Sequence, residues 1–246
     1  MFIGEHIHGG NMRDALVFNC ACQLDFQEVR ANVIRIPEVV DRIRQAQKIW
    51  DSAALQPLDI TNFIASDDSI FLRQIRLKSF ATAVVQVGLL DRYLRSHAMP
   101  EFLVGTVNGD APLNVAIGRM SFVDLIMESA ALAGGSEPNL RVLPAGELPV
   151  LSGVQLSEYA VYRANASSVY EREHLQARDI ESMLVELVDH HAVNKIITVG
   201  PGNAVLGRKI AELTSQEVHV LESIDLDPLL TWFWAGQREN RLAIAN

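Results

Sequence analysis

The chain has 246 residues, of which 49% are hydrophobic and 21% charged, and it carries a net charge of -9 at neutral pH. That length bounds one domain with a sizeable core, and residues 1–246 are expected to form a single unit. The acidic balance gives no general attraction to nucleic acid or to an anionic membrane surface, although a local basic patch is enough to dock an acidic carrier protein.

Residues 1–14 (MFIGEHIHGGNMRD) hold no long apolar run and no cleavage-site pattern, so neither a signal peptide nor a membrane span is expected there. They read as a flexible N-terminal segment. Residues 15–20 (ALVFNC) form a short apolar run that reads as a buried strand. Cys20 and Cys22 are separated by a single residue, a spacing at which an extended chain holds the two Cβ atoms too far apart for a disulfide, and this favours a reduced, cytoplasmic protein. Residues 37–50 begin with a proline and place Val40, Ile43, Gln47 and Trp50 at helical spacing. A short helix is expected over residues 67–75, and a longer one over 78–96, where the apolar stripe of Ala81, Val84, Val85, Leu89 and Tyr93 exceeds strand length.

Residues 100–107 (PEFLVGTV) read as a strand entering the tight turn Gly105-Thr106-Val107-Asn108-Gly109. A helix from Pro112 is broken by Gly118, and another starts at Ser121, with Ser121 as N-cap and Asp124 at the third helical position. Residues 134–149 form a Gly- and Pro-rich linker, followed by a strand over 149–154. Residues 179–191 are amphipathic. A strand over 194–199 then meets the turn Gly200-Pro201-Gly202, a helix over 204–213 and a last strand over 218–221. Strands alternating with helices argue for an α/β fold of three layers: a mostly parallel sheet with helices on both faces.

In order and spacing, three stretches resemble the malonyl-CoA:acyl carrier protein transacylase family. Gly105-Thr106-Val107-Asn108-Gly109-Asp110 stands where that family has its nucleophile turn Gly-His-Ser-x-Gly-Glu. The distance from there to Ser121-Phe122-Val123-Asp124, the family's Ser-Phe-x-Asp, is kept without insertion. Val199-Gly200-Pro201-Gly202-Asn203-Ala204-Val205-Leu206 is similar to its Val-Gly-Pro-Gly turn. Residues 17–23 stand where it has Phe-Pro-Gly-Gln-Gly-Ser-Gln, of which Gln23 survives. The resemblance implies the family's large subdomain, with an α/β-hydrolase-like core.

It also implies what is lost. The family's serine is Val107 here, and its neighbouring histidine is Thr106. Valine has no oxygen to deprotonate, and the carboxamide of Asn108 is not a nucleophile. The glutamine of the oxyanion loop aligns with Cys20, and the arginine that clamps a malonyl carboxylate aligns with Leu132. The general base belongs to a small ferredoxin-like inserted subdomain. Residues 133–148, a short linker without histidine, stand in its place, so that subdomain is expected to be absent. Catalytic groups of this kind act as a unit, and little of the family's chemistry is expected without them.

The resemblance therefore implies a catalytically inactive binding or scaffolding component of fatty-acid or polyketide synthesis. Its partners would be an acyl carrier protein, a ketosynthase or a second copy of itself. Two other readings stay open. One is a thioester transferase or hydrolase using Cys20 or Cys22, weighed against the ordinary fate of cysteine as a small buried hydrophobe. The other is a small-molecule binder in the vacated pocket, with Gln23, Asn108, Gly200, Gly202 and Asn203 as binding candidates.

The remaining motifs read more simply. Gly200-Pro201-Gly202 lacks the Lys and Ser/Thr of a phosphate loop and is taken as structural. His6 with His8, and His190 with His191, are not completed into a metal-ligand set, and no metal or cofactor is expected. Trp232-Phe233-Trp234 suits a core cluster more than an exposed anchor. Arg73, Arg76 and Lys78 read as a solvated helix face.

Overall fold

The computed structural model describes residues 13–18, 26–53, 56–66, 75–106, 111–133, 159–164, 170–172, 180–200 and 218–223. The expected helices over 67–75 (except its last residue) and 204–213, the linker and strand over 134–154, and the tryptophan cluster lie outside them, as do His6 and His8. The sheet begins with β1 (Asp14–Phe18), one residue earlier than its apolar run suggests. Helices α1 (Phe26–Ala31), α2 (Pro37–Ala53), α3 (Ile60–Ala65) and α4 (Ile75–Leu94) follow, and the chain then re-enters the sheet as β2 (Phe102–Thr106). Helices α5 (Ala111–Ala116) and α6 (Phe122–Ala133) come next. Strands β3 (Tyr159–Ala164) and β4 (Tyr170–Arg172), helix α7 (Ile180–Val185), β5 (Lys195–Val199) and β6 (His219–Glu222) complete the described chain.

The strand order is β4-β3-β2-β1-β5-β6. β2, β1, β5 and β6 run parallel, whereas β3 and β4 are antiparallel to their neighbours. The sheet is thus a parallel core extended by an antiparallel pair. That pair falls where the reading of the sequence placed no strand, although Tyr159, Val161 and Tyr162 are residue types that favour one.

Alternation along the parallel strands sorts their side chains into two cores. Leu16, Phe18, Leu103, Ile197 and Val199 join the larger core with α1 to α6. Ala15, Val17, Phe102, Val104 and Ile196 face the smaller one, built with Met183, Leu184 and Leu187. Helices therefore cover both faces. α7 continues as a π-helical turn (Glu186–His190), and Ala192 takes φ 54° to swing the chain into β5. No helix among the described residues is long and apolar enough to cross a membrane.

α4 is the centre of the larger core. From Phe80 to Leu90 every residue is buried, as expected of a helix enclosed on all sides rather than lying on a surface. α2 crosses it closely: a Cβ placed on Gly88 would lie 2.7 Å from the Cα of Val39. Beside this contact Arg42 grips Asp91 with two guanidinium nitrogens. The buried carboxylate of Glu38 accepts from Arg95 at 2.7 Å and from Arg92 at 3.4 Å.

Two terminators behave as the sequence suggests. α5 ends in a Schellman motif: Gly118, at φ 73°, donates to the Val115 carbonyl, and Arg119 donates to that of Asn114. α6 begins with a capping box. The Asp124 N–H donates to Ser121 Oγ at 3.1 Å, and the Ser121 N–H donates back to Asp124 Oδ2 at 3.2 Å. The Ser121 hydroxyl and N–H hold the Asp124 carboxyl below its ordinary pKa.

Gly88→Ala should lower stability by about 1–3 kcal/mol, because the contact is with helix backbone that cannot give way. Ser121→Ala should cost about 1 kcal/mol. Denaturant unfolding of both variants checks the order; a Gly88→Ala variant as stable as the parent would contradict the close crossing.

Candidate functional site

The strand order itself points to one place. From β1 the chain crosses to β2 on one side and later returns to add β5 on the other. In open α/β sheets such a reversal leaves a crevice at the carboxyl ends of the two central strands, where ligands bind. Here those ends are Phe18 and Val199, paired in register. Val17 also pairs with Val104, so β2 runs to Thr106 beside the same edge. The segments that begin after Phe18, Thr106 and Val199 hold the residues singled out from sequence. Gly105 and Thr106 are the last residues of β2, facing Ala160 and Tyr159 of β3. Gly200 follows β5 at φ 116°, a conformation that suits glycine and turns the chain sharply out of the strand. Cys20, Cys22, Gln23, Val107, Asn108, Gly109, Gly202 and Asn203 lie outside the described residues.

α4 lies across this edge in a direction that two anchors define. Gln86 Nε2 donates to the Val199 carbonyl at 3.1 Å, a buried bond at the carboxyl edge. Seven residues later, Tyr93 feels the charge of Asp14, the first residue of β1. Seven helical residues span roughly 10 Å and a five-residue strand roughly 13 Å, so α4 runs antiparallel to β1 across nearly the full height of the sheet. Its earlier residues therefore reach past the carboxyl edge. Thr82, one turn before Gln86 on the same stripe, is 2% exposed, and its hydroxyl oxygen has no hydrogen-bond partner. One further turn along, Lys78 Nζ sits 5.4 Å from the ring centroid of Phe26, the first residue of α1.

The β6 side contributes a second such group. Ser223 follows β6, and its N–H donates to the Thr198 carbonyl at 2.9 Å. The ladder, in which Thr198 faces Glu222, brings it opposite Val199. Ser223 is 5% exposed, and its hydroxyl is likewise without a partner. None of Lys78, Thr82, Gln86 and Ser223 stands out as a binding residue in the sequence. A polar stripe within a long apolar helix was the available signal for the first three; Ser223 carried none.

The opposite edge is organised differently. Asp14 Oδ1 accepts from the Glu101 N–H at 3.0 Å, and Glu101 pairs with Arg13 at 3.5 Å and Arg163 at 3.2 Å. This ion-pair knot fixes the starts of β1 and β2 against the end of β3. A shallow basin lined by Glu38, Asp41, Arg42, Gln45, Asp91 and Arg95 lies at the same end, away from the strand termini that carry the candidate residues. Of the paired histidines, His190 pairs with Glu186 at 3.5 Å, and the ring of His191 packs 5.1 Å from that of Phe102.

Solved structures with this fold include a malonyl CoA-acyl carrier protein transacylase from Clostridium perfringens. It superposes with a TM-score of 0.54 at 11% identity, over 95% of this chain and 100% of its own. An acyl-carrier-protein S-malonyltransferase from Burkholderia pseudomallei matches at TM-score 0.55 and 14% identity, over 89% of this chain and 98% of its own. The MCAT of Streptococcus pneumoniae matches at 0.53 and 13%, over 85% and 95%. At these identities the likeness is one of fold. No family model and no curated protein matches the sequence.

Two outcomes test this description. Gln86→Leu removes a buried donor from a strand-end carbonyl and should cost about 1–3 kcal/mol in denaturant unfolding. Burial, with Asp14 adding to it, raises the Tyr93 pKa from 10.0 to about 12. The unfolded state therefore loses this proton first. The contribution of Tyr93 is fully present below pH 10 and is lost as pH rises through 12. Unfolding measured across that window should show a shallower alkaline fall for Tyr93→Phe than for the parent.

Proposed function

We propose that this protein is an acyltransferase-fold binding or scaffolding component of fatty-acid or polyketide synthesis that performs no acyl transfer itself. The observation that carries the reading is the end of β2. In this fold the turn after that strand must present a nucleophile at the carboxyl edge, and the residue that follows Thr106 is Val107. Acyl transfer through a covalent intermediate needs an oxygen or sulfur there, together with a base to take its proton. The short histidine-free span of residues 133–148 supports the loss of that base along with its subdomain.

An acyl carrier protein is the favoured partner, as the fold likeness to transacylases that act on one suggests, with a ketosynthase or a second copy as alternatives. A docking face is supported by α6, which leads into that shortened span. Val123 and Met127, one helical turn apart, are its exposed large hydrophobics, 51% and 46% accessible. Exposed apolar side chains on one face favour protein contact when a partner covers them.

Intact-mass spectrometry after incubation with malonyl-CoA or acetyl-CoA should show an unchanged mass. An adduct on a defined residue, Cys20 or Cys22 included, would overturn the noncatalytic reading. Val107→Ser alone should confer no thioester turnover, since a serine without its base regains little. A pull-down with acyl carrier protein should retain the protein, and Met127→Asp should weaken that retention; no retention of the parent by a carrier protein, a ketosynthase or itself would sink the scaffold.

A further inference from the structure

We draw no further inference here: the strongest candidate, the shallow basin between α2 and the end of α4 lined by Glu38, Asp41, Arg42, Gln45, Asp91 and Arg95, has its Glu38 and Asp91 carboxylates already paired with its own Arg95 and Arg42, and nothing in the structure directs the buried, unpartnered Glu38 Oε2 into it.

Discussion

The close crossing of α2 and α4 at Gly88 is the constraint on which the rest of the molecule depends. With no side chain at that position, the Val39 backbone comes within van der Waals distance, and α4 is pressed between α2 and the sheet. Enclosure on all sides explains why its middle is apolar almost throughout. It also fixes the helix along its axis, because the Arg42–Asp91 and Glu38–Arg92–Arg95 pairs grip the far end beside Gly88. A helix held in that way delivers Gln86 to Val199 and carries Thr82 beyond the end of the strand. The position of the candidate site is thus set by packing at the opposite edge of the sheet.

At the amino edge, charged side chains pair with each other, as Glu101 does with Arg13 and Arg163. Such contacts contribute modest energy where they are partly solvated, but they define register by linking β1, β2 and β3. Buried polar atoms without a hydrogen-bond partner occur at both edges: the hydroxyls of Thr82 and Ser223 at the carboxyl edge, Glu38 Oε2 and Asn194 Oδ1 at the amino edge. The solved transacylases share the arrangement of this sheet and its helices.

Much of the architecture was legible because its signals are local and strong. The run at Ala15 to Phe18, the stripe along α4, the Ser121–Asp124 cap and the glycine stop at Gly118 each act within a turn or two of chain. β3 and β4 were not read from the sequence, where the short Tyr-Ala-Val-Tyr run was passed over, and pairing with β2 makes the strand visible. The candidate site was legible only in part. Gly105, Thr106 and Gly200 were singled out through the resemblance and stand at the ends of β2 and β5, whereas the burial of Thr82 and Ser223 without a hydrogen-bond partner left no local sign in the sequence. Being buried without a partner is a property of surroundings contributed by elements far apart in the chain.

The sequence by itself determined the parallel strands and helices α2, α4 and α6, though not α1 or α3, together with the α/β class and the absence of a hydroxyl or thiol at Val107. Those follow from periodicity, capping chemistry and side-chain identity, which need no knowledge of what lies across the core. The tertiary structure alone decided the strand order with its reversal between β1 and β5, the antiparallel extension, the meeting of Gln86 with Val199, and the burial of Thr82 and Ser223 without a hydrogen-bond partner. The physical reason is that hydrogen-bond satisfaction and strand neighbourhood are relations between residues distant in sequence. Here the helix held at Gly88 sets those relations, and the polar side chains that it carries are individually unremarkable.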